Sequence, residues 1–158
     1  MKSKYSCYLY GEGRKDKNFL QTLIKLDKFK YYTSNWIFNC DNSSGGTAET
    51  IINKCKKMIS GYNYDLVICF IDLDLLKADH PRMWKKTKKE IEKKYSEVKI
   101  IWQVNNLEEE MVRVIGDVSK SKHTINKLSK KKIKQFINSG YWKRIIRVIQ
   151  KKELTLSK

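Results

Sequence analysis

No run of about 18 apolar residues occurs, the length a membrane-spanning helix requires, so no transmembrane helix is expected. The stretch Met1 to Tyr10 has no apolar core of the kind a secretory leader carries. Cysteine is sparse: Cys7, Cys40, Cys55 and Cys69, none in a C-x-x-C pair, so spacing gives zinc no support. Cys7 and Cys69 lie in apolar runs and read as buried free thiols, which fits a reducing cytoplasm. The two histidines, His80 and His123, are isolated, and no nucleophilic triad is visible. No segment repeats another. Acids are the scarcer charge, 17 against 34 Lys and Arg, which leaves +17 at pH 7. That excess speaks to partners rather than fold. A polyanion is the first expectation, DNA, RNA or nucleotides. An anionic membrane surface comes second, and a plain lysine-covered surface is the bland alternative.

What is present alternates. Tyr5 to Tyr10 is a short β-rich run ending in the turn residues Gly11-Glu12-Gly13. Phe19, Leu20, Leu23 and Ile24 then fall on one face of a helix. A second extended run covers about Tyr31 to Phe38, and Asp41 to Gly46 reads as a loop. Ile51, Ile52, Cys55, Met58 and Ile59 stripe a second helix. Leu66 to Ile71 is apolar at every position, the mark of a strand buried on both faces, and it runs into Asp72-Leu73-Asp74. A charged helix is expected from Pro81 to Ser96, with Pro81 in its first turn. Val98 to Val104 is a fourth strand, and a fourth helix starts near Leu107. The order β-α-β-α-β-α-β-α predicts a doubly wound, mostly parallel α/β sheet flanked by helices. A chain of 158 residues makes one core the natural expectation.

Composition breaks near Val118. Ser119 to Lys158 holds 13 Lys and Arg against the single acid Glu153, so +12 of the net charge lies there. Ile133, Phe136 and Ile137 form one helical face, and Trp142, Ile145, Ile146 and Ile149 another, separated at Ser139-Gly140. Residues 1–118 thus read as the α/β domain, and 119–158 as a basic helical hairpin packed on it.

Acids at strand ends in so basic a chain raise a question of chemistry. Asp72 and Asp74 stand at i and i+2, which in a strand puts both carboxylates on one side. Glu12 follows the first strand directly. Parallel sheets bind ligands beyond the carboxyl ends of their strands, so the three acids share one edge if the first and third strands are neighbours. Clustered carboxylates repel unless a proton or a cation intervenes, and Mg²⁺ is a hard cation that takes such oxygens. The bland reading is that these are ordinary turn-forming and helix-capping acids.

The segment Tyr8-Leu9-Tyr10-Gly11-Glu12-Gly13, with Asp16 and Phe19 following, resembles the first motif of TOPRIM domains. Val67 to Asp74 resembles their D-x-D motif. Within that superfamily the chain is most similar to small RloB-like proteins and OLD-type nucleases, over about residues 5 to 117. The resemblance implies Mg²⁺- or Mn²⁺-dependent phosphodiester chemistry on DNA or RNA. Glu12 becomes the general acid or base, or a ligand, and Asp72 and Asp74 become metal ligands. A later motif places a further Glu after the fourth strand, where Glu108 is the best match in Asn105 to Glu110. A part in phage defence follows from the resemblance alone.

Basic residues near the acids, Arg14, Lys15, Lys17 and Lys77, are candidates for holding a phosphate backbone. Lys130, Lys131, Lys132, Lys143, Arg144 and Arg147 are the candidates in the basic hairpin. Trp142 beside Lys143 could stack on a base, although a core role is the commoner fate of such a Trp. Ser43 to Thr47 reads as a turn and helix cap, since it lacks the Lys-Ser/Thr ending of a P-loop. Two other functional classes stay open: a nucleic-acid-binding module without catalysis, and a component that binds a nucleotide or a partner protein. A homodimer is also open.

Overall fold

The computed structural model describes residues 5–25, 35–103 and 139–157. Elements follow in the order β1 (Tyr5–Gly11), α1 (Arg14–Lys25), β2 (Trp36–Asn42), α2 (Ala48–Met58), β3 (Leu66–Asp72), α3 (Leu73–Asp79), α4 (Trp84–Lys94), β4 (Lys99–Gln103) and α5 (Gly140–Leu156). The four strands form one sheet in the order β2-β1-β3-β4. Every pairing is parallel. The chain is therefore an α/β protein, as its alternation predicts.

Two cores fix how the layers sit. On one face, Phe19 and Leu20 of α1 and Tyr141, Trp142, Ile145 and Ile149 of α5 cover Cys7, Leu9, Phe38, Ile68, Phe70 and Ile101. On the other, α2, α3 and α4 bring Ile51, Ile52, Leu73, Leu76 and Ile91 against Tyr8, Tyr10, Val67, Cys69 and Ile71. Helices on both faces explain why β1 and β3 carry apolar residues without alternation. β2, at the edge, alternates: Trp36 and Phe38 face α1 and α5, while Ile37 and Asn39 are exposed. Trp142 belongs to the core, and Cys7 and Cys69 are buried free thiols. Each large side chain that α5 buries contributes roughly 1.5–3 kcal/mol. This helix is thus half the roof of one face.

Four local expectations are corrected. Asp41 and Asn42 belong to β2, where they pair with Tyr10 and Gly11, so the loop starts at Ser43. Met58 is half exposed and leaves the apolar stripe of α2, because the helix ends there in the turn 59–61. Pro81 precedes α4 in the turn 81–83 instead of opening it. An unexpected short helix, α3, grows straight out of β3. Thr47 caps α2 as expected, accepting the Thr50 N–H at 3.3 Å. Among the described residues no helix is long and apolar enough to cross a membrane. Residues 31–34 of the second expected strand, the helix expected near Leu107, the boundary near Val118, His123 and the face of Ile133, Phe136 and Ile137 lie outside the described residues, as do Glu108 and Lys130 to Lys132.

Candidate active site

β1 connects to β2 on one side of the sheet, and β3 and β4 lie on the other. The strand order reverses between β1 and β3, and the helices that follow them lie on opposite faces, the arrangement at whose strand ends parallel sheets bind ligands. Glu12 follows β1 and Asp72 closes β3, so both sit at that point. The Asp72 N–H donates to Glu12 Oε2 at 3.2 Å, and the Glu12 charge raises the Asp72 carboxyl. The sequence expectation that neighbouring strands bring Glu12 to Asp72 is met.

Asp74 arrives by a different route from the one its spacing suggests. The strand stops at Asp72, and Asp74 stands in the first turn of α3. Strand alternation does not place it; the turn into α3 does. It nevertheless adds to the negative field at both Glu12 and Asp72.

Asp72 occupies the cap position of α3, yet its side chain makes no capping hydrogen bond. An Asp that serves a helix as cap contributes about 1 kcal/mol to it by accepting an N–H. Here the carboxyl makes no such bond, which removes the ordinary explanation for an acid at this position. Its Oδ1 and that of Asp74 are buried without a hydrogen-bond partner among the described residues. None of Glu12, Asp72 and Asp74 has a Lys or Arg ion-pair partner among those residues either.

Burial, then the charges of Glu12, Asp16 and Asp74, push the Asp72 carboxyl up to about 9. Glu12 also lies above its usual range, chiefly by burial. The Asp72 N–H that it accepts pulls the other way. Near neutral pH the pair therefore keeps a proton that two exposed acids would have lost.

The turn that carries Glu12 is fixed on three sides. A Cβ on Gly11 would overlap Asp16 Cβ, so only glycine permits this approach. Asp16 Oδ2 accepts the Gly13 N–H at 3.0 Å, the reach-back of a third helical residue to its cap. From above, Ser43 N–H donates to Gly11 O at 2.9 Å and Gly45 N–H to Glu12 O at 3.1 Å. Gly45 and Gly46 both have φ in the left-handed region, which lets the β2–α2 loop fold over in this way.

Three further residues join the site: Asp16, which the first-motif resemblance includes, and Gln103 and Tyr141, which the sequence reading did not place there. Asp16 is buried, and Gln103 Nε2 donates to its Oδ1 at 3.1 Å. The same Nε2 donates to Tyr141 Oη, also at 3.1 Å. Asp16 had a visible signal, standing three residues beyond Gly13. Gln103 had a fainter one, a polar residue closing an apolar strand. Nothing in the spacing marks Tyr141, whose ring satisfies the same apolar pattern as a core residue.

The candidate cations disperse. Arg14 is exposed at the start of α1. Lys15 belongs to α1, but its side chain lies outside the described residues. Lys17 pairs with Asp41 at 3.5 Å. Lys77 lies 4.8 Å from the Trp84 ring centre. Lys143 and Arg147 are exposed on α5. Arg144 instead donates to Trp102 O at 3.3 Å and lies over the Tyr141 ring, fastening α5 to the end of β4.

Among the described residues no three His, Cys, Asp or Glu side chains stand as a ready-made metal cage. The buried Oδ1 atoms of Asp72 and Asp74, both without a hydrogen-bond partner among the described residues, are donors of the hard-oxygen kind that a divalent cation takes. No family model, no characterised protein and no solved structure matches the chain.

Proposed function

We propose that the chain is a TOPRIM-type, metal-dependent enzyme that hydrolyses phosphodiester bonds in nucleic acid. The observation that carries this reading is the pairing of Glu12 with Asp72 at the switch point, with Asp72 withheld from capping α3. A structural acid at that place would have taken the cap. The motif order, Glu after the first strand and Asp-x-Asp after the third, supports the same family.

Asp72 and Asp74 would hold Mg²⁺ or Mn²⁺, with Glu12 beside them. A cation bound there supplies positive charge that lets a phosphodiester approach four acids and polarises its phosphoryl oxygen. Burial raises Glu12 above the usual carboxylate range, the direction that favours a group exchanging a proton with the attacking or leaving oxygen. Exposed Arg14, Lys143 and Arg147 would hold the phosphate backbone.

The test is cleavage of end-labelled DNA and RNA, single- and double-stranded, with Mg²⁺, Mn²⁺ or a chelator. Wild-type protein is expected to cut only with metal. Asp72→Asn is expected to lose more than about 100-fold, beyond the 10–100-fold cost of losing an outer-shell partner of a metal site. Cleavage by Asp72→Asn at the wild-type rate, or in chelator, removes the proposal. Salt-sensitive binding without cleavage would instead favour a module that only binds nucleic acid.

A further inference from the structure

We propose that Gln103 and Tyr141 are positioning residues that hold the Asp16 carboxylate in the site, so that α5 completes it. This rests on the reading of the carboxylate cluster given above.

Strand register sets Gln103 at the site. It pairs with Asp72 in the β3–β4 ladder. Leu66, Ile68 and Phe70 face α1 and α5, as does Ile101, so by alternation Asp72 and Gln103 turn to that same side. Gln103 therefore stands beside Asp72, at the same strand-end edge. Its amide nitrogen is committed in two directions, to Asp16 Oδ1 on α1 and to Tyr141 Oη on α5. One side chain thus links an acid that adds to the field at Glu12 and Asp72 with the first turn of the C-terminal helix.

An amide in this place is costly. Gln103 is 1% exposed, and its Oε1 has no hydrogen-bond partner among the described residues. A buried acceptor left unmet is destabilising. A Leu or Met at the end of β4 would avoid that cost. It would also strip the buried Asp16 Oδ1 of its amide donor, so the amide is explained by what its nitrogen does. What it does is fix one Asp16 oxygen while the Gly13 N–H fixes the other, at 3.0 Å. Both oxygens of the Asp16 carboxylate are thereby held.

Two variants test this. Tyr141→Phe removes one hydroxyl and keeps the ring in the core. Gln103→Met keeps volume and removes the amide. Each is measured in the full chain for thermal midpoint, for the Gly13 amide resonance and its hydrogen exchange without metal, and for Mn²⁺ affinity by titration. Both variants are expected to fold, with midpoints at or somewhat below wild type, since each removes a hydrogen bond from a buried network. In both, the Gly13 amide shifts and exchanges faster, and Mn²⁺ binds about 10-fold more weakly, the scale of losing an outer-shell partner. Wild-type protein that ignores Mn²⁺ overturns the reading of the metal site, while the Gly13 amide still reports whether Asp16 is held. An unmoved Gly13 amide in both variants overturns the positioning role, whatever Mn²⁺ does. A moved amide with wild-type Mn²⁺ affinity overturns the claim that α5 completes the site.

Discussion

Glu12 and Asp72 meet across the gap between β1 and β3, 60 residues apart in the chain, with the Asp72 N–H 3.2 Å from Glu12 Oε2. The contact depends on strand order. β1 and β3 are neighbours because β2 lies outside β1, and the parallel register puts both strand ends at one edge. Burial and the nearby charges of Asp16 and Asp74 then give the pair an appetite for a proton or a cation that neither residue has alone.

In the absence of metal, stability should depend on pH through this pair. The folded protein holds the Asp72 proton up to about 9, whereas an unfolded chain releases it near 3.8. Between those values the native state binds more protons than the unfolded one, so stability falls as pH rises through that window. Glu12, also raised, acts with the same sign. Asp72→Asn is therefore expected to melt above the wild type in chelator. The difference should be absent below about pH 4, widen towards about pH 9, and reverse when Mn²⁺ is added. Parallel melting curves across that range would contradict it.

Gly11 is expected to be irreplaceable. Gly11→Ala drives a Cβ into Asp16 Cβ, where the backbone of the turn leaves no room. Overpacking of this kind costs typically 1–3 kcal/mol, read by urea denaturation. Gly45→Ala meets nothing within 4 Å and loses only by its positive φ, so its cost should be about 1 kcal/mol. Equal losses at the two positions would argue against the close packing of the Glu12 turn.

Ile145→Ala tests whether α5 is part of the core. Ile145 is fully buried against the sheet, and truncations of this type cost about 2–5 kcal/mol. Unfolding should remain a single transition shifted as a whole. A separate early transition would mean that α5 detaches by itself.

How much of this was legible in the sequence depends on which force decides each feature. The unbroken apolar run of β3 announced a strand covered on both faces, and the alternation of elements announced the parallel sheet. Burial patterns are local, so they can be read. Where the chain turns is less legible. Asp74 was assigned to a strand end by its spacing, but the first turn of α3 carries it, because a strand and a helix can both continue from Asp72-Leu73. Likewise β2 runs on to Asn42 because ladder partners at Tyr10 and Gly11 outweigh the turn preference of Asp and Asn. The bridge from Asp16 through Gln103 to Tyr141 joins three elements far apart in sequence, and no local pattern encodes it.

Nucleic-acid binding should follow salt. Lys143 and Arg147 are exposed on α5. Removing one cation that neutralises a phosphate lowers the log–log salt slope by about one. Lys143→Ala with Arg147→Ala is expected to weaken binding equally across sequences and to flatten that slope by about two, twice the single-cation step. Arg144→Ala should differ by also lowering the thermal midpoint, since its guanidinium holds Trp102 O. An unchanged salt slope in the double variant would take α5 out of the interface.

The most direct test of the central claim is a Mn²⁺ titration by calorimetry near neutral pH, run in two buffers of different ionisation enthalpy. A cation that replaces the proton held at Asp72 must release it to the buffer. Wild-type protein is expected to bind Mn²⁺ with release of about one proton, and Asp72→Asn to bind at least about 100-fold more weakly with none. Binding of equal strength in the two proteins, or no proton release by the wild type, would contradict a metal site at Glu12, Asp72 and Asp74.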